Sequence, residues 1–129
     1  MIHVCAAVIK IDGKYLITSR PPGKHLAGQW EFPGGKVDLG ESSHDCLVRE
    51  LREELGVNIV PLEIIYTMKY EYPGKKVFLE FFQAEPADIM DFVPIPHDGQ
   101  NIRWEKTEKL CDVDWVSADL PLAEYLCKL

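Results

Sequence analysis

Glu50, Glu53 and Glu54 recur at spacings of three and four residues inside a segment of helical apolar period. At about 100° per residue, a helix places the three carboxylates within roughly a 100° arc. Like charges at these spacings repel, and each pair weakens a helix by roughly a few tenths of a kcal/mol. Arg49 and Arg52 flank the cluster and offset part of that cost. A divalent cation offsets far more. Clustered carboxylate oxygens suit Mg²⁺, a hard ion that bridges to substrate phosphates. Glu41, just ahead of the helix, can reach the same edge. Taken alone, three such glutamates are more often a solvated helix face, so their surroundings decide.

The helix that must carry them is predicted over Ser43–Leu55. Ser42 or Ser43 caps it and Gly56 ends it. Leu47, Leu51 and Leu55, with Val48 beside them, give one apolar stripe next to the acidic edge. Before it, strands are predicted over Val4–Ile11 and Tyr15–Thr18, joined at Asp12-Gly13. Arg20–Gln29 is a loop, and Trp30–Phe32 a short strand stopped by Pro33-Gly34-Gly35. After the helix, residues 58–72 and 76–84 are strand-like around Pro73-Gly74. Glu85–Gly99 is a long irregular connection, Val113–Val116 a strand and Pro121–Leu129 a closing helix. This order predicts an α+β domain, a mixed sheet covered by helices.

The 129 residues fit one domain spanning 1–129. With 47% hydrophobic and 27% charged residues, disorder is excluded. Lys+Arg number 14 and Asp+Glu 21, so the formal charge is 14 − 21 = −7. That balance opposes a nucleic-acid polymer as partner but not a small anion held through a cation. No apolar run approaches the roughly 18 residues of a membrane span. No basic region precedes the apolar stretch after Met1, so no signal peptide is read. Cys5, Cys46, Cys111 and Cys127 form no CxxC pair and are expected to be buried reduced thiols in a cytoplasmic protein.

The segment from Gly35 to Val57 matches Gx5Ex7REUxEExGU, the signature of the Nudix hydrolases, at every fixed position. With average residue usage, a chance match in such a chain is on the order of 10⁻⁷. "LITSR", "HLAGQWEFPGGK" and "YEYPGKKVFLEFF" resemble the corresponding stretches of the MutT-type branch. The resemblance implies a Nudix α/β/α sandwich whose loop-helix-loop binds Mg²⁺ or Mn²⁺. It implies metal binding by Glu50, Glu53 and Glu54 and by the Gly34 carbonyl, with Glu53 or a later-loop glutamate a candidate proton acceptor. Glu41 and Arg49 are implied to orient the helix by pairing. A later-loop glutamate is implied near a strand tryptophan; with Trp115 as anchor it is Glu108, or Glu105 in another register.

The same resemblance implies substrate contacts from Arg20, His25, Glu31, Phe32, Pro33 and Gly34. Lys36, beside the box, is a candidate phosphate contact. Phe32 could equally be core, and His25 a bland surface group. His97-Asp98-Gly99 reads as a hairpin turn rather than a metal pair. Trp30, Trp104 and Trp115 read as edge or core packing. The base-reading Asn or Asp of the branch has two candidate counterparts, Asp119 and Glu124, and base identity stays open. The implied activity is Mg²⁺-dependent hydrolysis of (deoxy)nucleoside triphosphates to monophosphate and pyrophosphate, by a monomer or homodimer. Nucleotide-pool sanitation, 8-oxo-dGTP included, and a part in DNA repair would follow. The alternatives are another diphosphate linkage, as in ADP-ribose or a dinucleoside polyphosphate, or a non-catalytic nucleotide sensor.

Overall fold

The strand expected after Met1 is the centre of the molecule. The computed structural model describes residues 1–129, the side chain of Tyr72 excepted. β1 (Ile2–Ile11) turns at Asp12-Gly13 into β2 (Lys14–Ser19). Both turn residues have positive φ, 52° and 77°, which matches the twist of a tight hairpin. β2 pairs with β3 (Trp30–Glu31), and β1 with the short β4 (Gly34–Lys36). α1 (Ser43–Leu55) then leads to β5 (Ile59–Tyr72) and β6 (Lys75–Pro86). β6 returns parallel to β1, from Ile2↔Val77 to Ile9↔Ala84, and the order across the sheet is β3-β2-β1-β6-β5. The sheet is therefore mixed.

β1 is buried on both faces, with alternate residues serving different cores. Cys5, Ala7 and Ile9 face Leu47, Leu51 and Leu55 of α1. Ala6 and Val8 face a second cluster with Phe81, Trp115 and Leu122. α2 (Leu120–Cys127) contributes Leu122, Ala123 and Leu126 to that second cluster. The expected helix–sheet–helix layering is thus observed. Leu51 is fully buried, and truncating it to Ala costs about 2–5 kcal/mol.

Two expectations need correction. Val113–Val116 is not a strand: Trp115 makes a single bridge to Trp30, while Trp30 N–H donates to Asp114 O and Val116 N–H to Trp30 O, both at 2.9 Å. The strand lies earlier, as β7 (Ile102–Lys106), antiparallel to β2. Its residues IRWEK mix charge with apolar groups because the strand is half-buried, which hides the alternation. Cys111 and Cys127 are joined by a disulfide, their Cα atoms 6.0 Å apart, and Cys111 is exposed. A short 3-10 helix over Thr107–Asp112 packs against α2 and brings together two cysteines whose spacing of 16 gives no signal. Cys5 and Cys46 are free and buried, as expected. Among the described residues no helix is long and apolar enough to cross a membrane.

Candidate active site

The acidic helix starts and stops as its sequence dictates. Ser42 caps it, its Oγ accepting from Asp45 N–H at 3.0 Å, and Gly56 ends it at φ 66°, a left-handed conformation suited to glycine. Between these ends Arg49 acts as a hub. Its Nε and Nη2 donate to the two oxygens of Glu41 at 2.7 and 2.9 Å, a bidentate pair. Its Nη1 donates to Glu50 at 2.9 Å and Glu53 at 3.3 Å, and Nη2 also to Lys36 O at 3.0 Å. One guanidinium therefore ties the loop before the helix to two carboxylates on it. Its hydrogen bonds hold the Glu41 carboxyl down at about 2.

Glu50 and Glu54 turn inward. Burial pushes the Glu50 carboxyl up, with Arg49 pulling it back. Burial, and then the facing Glu50 charge, push Glu54 up to about 8. Glu53 stays largely exposed. β4 lies so close that a Cβ on Gly35 would collide with the Glu50 carboxylate, and one on Gly34 with the Cys5 carbonyl. The two glycines bring backbone and carboxylate side by side. An all-oxygen donor set fits a hard divalent cation, and the raised Glu50 and Glu54 values, caused first by burial, mark inward carboxylates whose charge a cation would stabilise.

The cleft extends from these carboxylates. A cavity of about 500 Å³ runs past Gly34, Glu50 and Glu54 to Phe32 and Asp119. A neighbouring cavity of about 440 Å³ shares Arg20, Glu31 and Glu54 with it and adds Lys24, Asp98 and Gln100. Arg20 Nη1 lies 3.4 Å from Glu31 Oε1, and its Nε donates to His25 O at 3.1 Å. Asp119 is buried, and its Oδ2 accepts from Phe32 N–H at 2.8 Å. Burial drives its carboxyl up to about 8, and burial also raises Glu31.

The structure brings together Arg20, Glu31, Gly34, Lys36, Glu50, Glu54 and Asp119 on the cleft walls. Four expected contacts are placed otherwise. Phe32 is a core residue, 2% exposed and stacked on Trp115 at 4.9 Å, so only its backbone serves the cleft. Pro33 is fully buried, its carbonyl accepting from Ala7 N–H at 2.8 Å. His25 is exposed on its loop and lines neither cavity. Glu108 is exposed on the 3-10 helix that follows β7 and lines neither cavity. The later-loop carboxylate at the cleft is instead Asp98, whose charge acts on Glu54. Its Asp-Gly context reads as a turn, which conceals it. Of the two base-reading candidates, Asp119 faces the cleft and Glu124 is exposed on α2.

The connection after β6 also closes the acidic helix. Ile95 N–H donates to Leu55 O and His97 N–H to Glu54 O, each at 2.9 Å. His97 Nδ1 lies 2.9 Å from Glu53 O, and Gln100 Nε2 donates to Glu54 O at 3.3 Å. Carbonyls that a helix end leaves without partners are thereby satisfied.

Known proteins share this fold. The NUDIX domain profile matches residues 1–126. The chain is 38% identical to the CTP pyrophosphohydrolase of Escherichia coli (strain K12), over 100% of this chain and 93% of that protein. It is 29% identical to the 8-oxo-dGTP diphosphatase of the same organism, over 99% and 98%. The solution structure of the E. coli ORF135 protein superposes with a TM-score of 0.82 at 37% identity, covering 95% of this chain and 86% of that one. The crystal structure of the MutT protein from Methanosarcina mazei Go1 gives 0.83 at 26%, covering 98% and 93%. A complete acidic box, an arginine-held helix and matches along nearly the whole chain lead to one conclusion: the protein is an enzyme of the NUDIX family of hydrolases.

Proposed function

We propose that the chain is a Mg²⁺-dependent pyrophosphohydrolase of (deoxy)nucleoside triphosphates, releasing monophosphate and pyrophosphate, with cytosine nucleotides ahead of oxidised guanine nucleotides. The observation that carries this reading is one cavity lined both by the box carboxylates Glu50 and Glu54 and by buried Asp119. Glu50, Glu53, Glu54 and the Gly34 carbonyl would hold the cation, with Asp98 close by. When bound, Mg²⁺ neutralises phosphate charge and activates water. Arg20 and Lys36 pair with phosphate oxygens, Arg49 fixes the helix carboxylates, and Glu53 or Asp98 accepts the proton of the attacking water.

At the other end, Asp119 holds its proton at neutral pH, since its carboxyl sits at about 8. An ionised carboxylate could only accept hydrogen bonds, which favours the guanine N1–H and N2–H₂ pair. A carboxylic acid both donates and accepts. That complements an edge with an acceptor beside a donor, as in cytosine N3 and its amino group. The name of the E. coli relative, a CTP pyrophosphohydrolase, supports the same choice. Part in sanitation of the nucleotide pool rests on relatives named 8-oxo-dGTP diphosphatases. The test is kcat/KM for CTP, dCTP, 5-methyl-dCTP, dGTP, 8-oxo-dGTP, dTTP and ADP-ribose at one Mg²⁺ concentration. ADP-ribose ahead of every triphosphate would overturn the cleft assignment; a lead for dGTP would overturn only the protonated Asp119. Turnover persisting in excess EDTA would remove the metal.

A further inference from the structure

On the α1 side of the sheet, strand register builds a second set of metal-type donors. Cys5 and Glu80 are partners in the parallel β1–β6 ladder, and His3, two residues earlier, projects to the same face. His3 Nε2 is hydrogen-bonded to Glu80 Oε1. Cys5 Sγ lies 3.7 Å from that oxygen and 3.9 Å from His3 Nε2. Ser43 Oγ, at the start of α1, donates to the same oxygen at 2.7 Å. Nitrogen, sulfur and hydroxyl thus converge on one carboxylate oxygen.

Tetrahedral zinc holds sulfur at about 2.3 Å and nitrogen or oxygen at about 2.0–2.2 Å, so its sulfur–nitrogen and sulfur–oxygen edges are about 3.6 Å. The two edges that involve Cys5 are within a few tenths of an ångström of that. Cys5 is fully buried and Glu80 nearly so, while His3 is partly exposed and leaves a way in. We propose that His3, Cys5 and Glu80 form a binding site for a zinc-class divalent cation, separate from the acidic box. A mixed N, S, O set disfavours Mg²⁺, which takes oxygen ligands. Three protein ligands leave the fourth position to Ser43 Oγ or water. Binding requires the thiolate, so the Cys5 proton, and any proton shared between His3 and Glu80, passes to solvent. Burial pushes the free Cys5 thiol up to about 11, and affinity therefore rises with pH. Occupancy would tie β1, β6 and the first turn of α1 at one point.

Co²⁺ titration of the full chain, in excess Mg²⁺ to occupy the carboxylate box, tests the site. One Co²⁺ per chain should give a thiolate-to-metal charge-transfer band in the near ultraviolet, bleached by one equivalent of Zn²⁺. Cys5→Ser should abolish the band, while Cys46→Ser and Cys111→Ser should leave it. His3→Ala changes only a partly exposed side chain, so it should fold normally and weaken Co²⁺ binding at least tenfold. Absence of the band in the wild type, its survival in Cys5→Ser, or its loss in Cys46→Ser would each overturn the site.

Discussion

The two ends of the cleft are built by different means. The end proposed for phosphate is local: Glu41, Arg49, Glu50, Glu53 and Glu54 lie within 14 consecutive residues, and the Arg49 guanidinium ties three of the glutamates together. The end proposed for the base is assembled from afar, with Asp119 accepting from the backbone of Phe32, 87 positions away. At the first end an arginine keeps Glu41 ionised; at the second, burial without a cation keeps Asp119 protonated. Equal carboxylates thus become an anionic hub and a neutral hydrogen-bonding group through their surroundings alone.

Breaking the phosphate end should have the largest effect. Glu54→Gln keeps shape but removes a charge, and turnover should fall roughly a hundredfold or more. An unchanged circular-dichroism spectrum would confirm the fold, and near-normal kcat would show that Glu54 is not essential. Glu41→Gln should cost about tenfold, as loss of a group that orients ligands commonly does. Its signature is a raised Mg²⁺ requirement with KM for nucleotide little changed; an unaltered Mg²⁺ titration would separate Glu41 from the box.

Perturbing the base end should alter choice more than rate. Asp119→Asn keeps an acceptor for Phe32 N–H but replaces the acid. The ratio of kcat/KM for dCTP to that for dGTP should shift about tenfold or more. A ratio unmoved by the substitution would place base reading elsewhere.

The smallest effect separates the inward carboxylates from Glu41 by pH. The raised values of Glu54 and Asp119 mean that the folded, metal-free protein binds protons more tightly than the unfolded chain. Their contribution to stability is fully present below the unfolded carboxyl values and is lost as pH rises through about 8. Glu41 works the other way: its contribution is present above the unfolded value and is lost as pH falls through about 2. In EDTA the Tm should therefore decline by a few degrees between about pH 5 and pH 8. Glu54→Gln and Asp119→Asn should each flatten that decline; a slope unchanged from the parent protein in both variants would refute the assignment.

The same local-versus-distant contrast governs what the sequence discloses. Ser43–Leu55 is predicted to the residue because its cap, its stop and its leucine period all lie within it. Its pairing of Glu41 with Arg49 is legible for the same reason. β4 and β7 are not: Gly34 and Gly35 carry no strand propensity and are used for close approach, and β7 is half-buried. Asp98 reads as a turn residue, and only the packing of its loop beside Glu54 gives it another meaning. The choice of Asp119 over Glu124 depends on which face of α2 meets the sheet, which five residues of spacing do not reveal.

The irregular chain between Ile95 and Gln100 has a mechanical role. Its amides and side chains end α1, so it behaves as the last turn of that helix although its backbone is not helical. The Ile95 and His97 amides are accordingly bound to exchange hydrogen at the pace of the helix end rather than of a surface loop. Insertions that other surface connections would absorb would here loosen the backbone beneath Glu53 and Glu54.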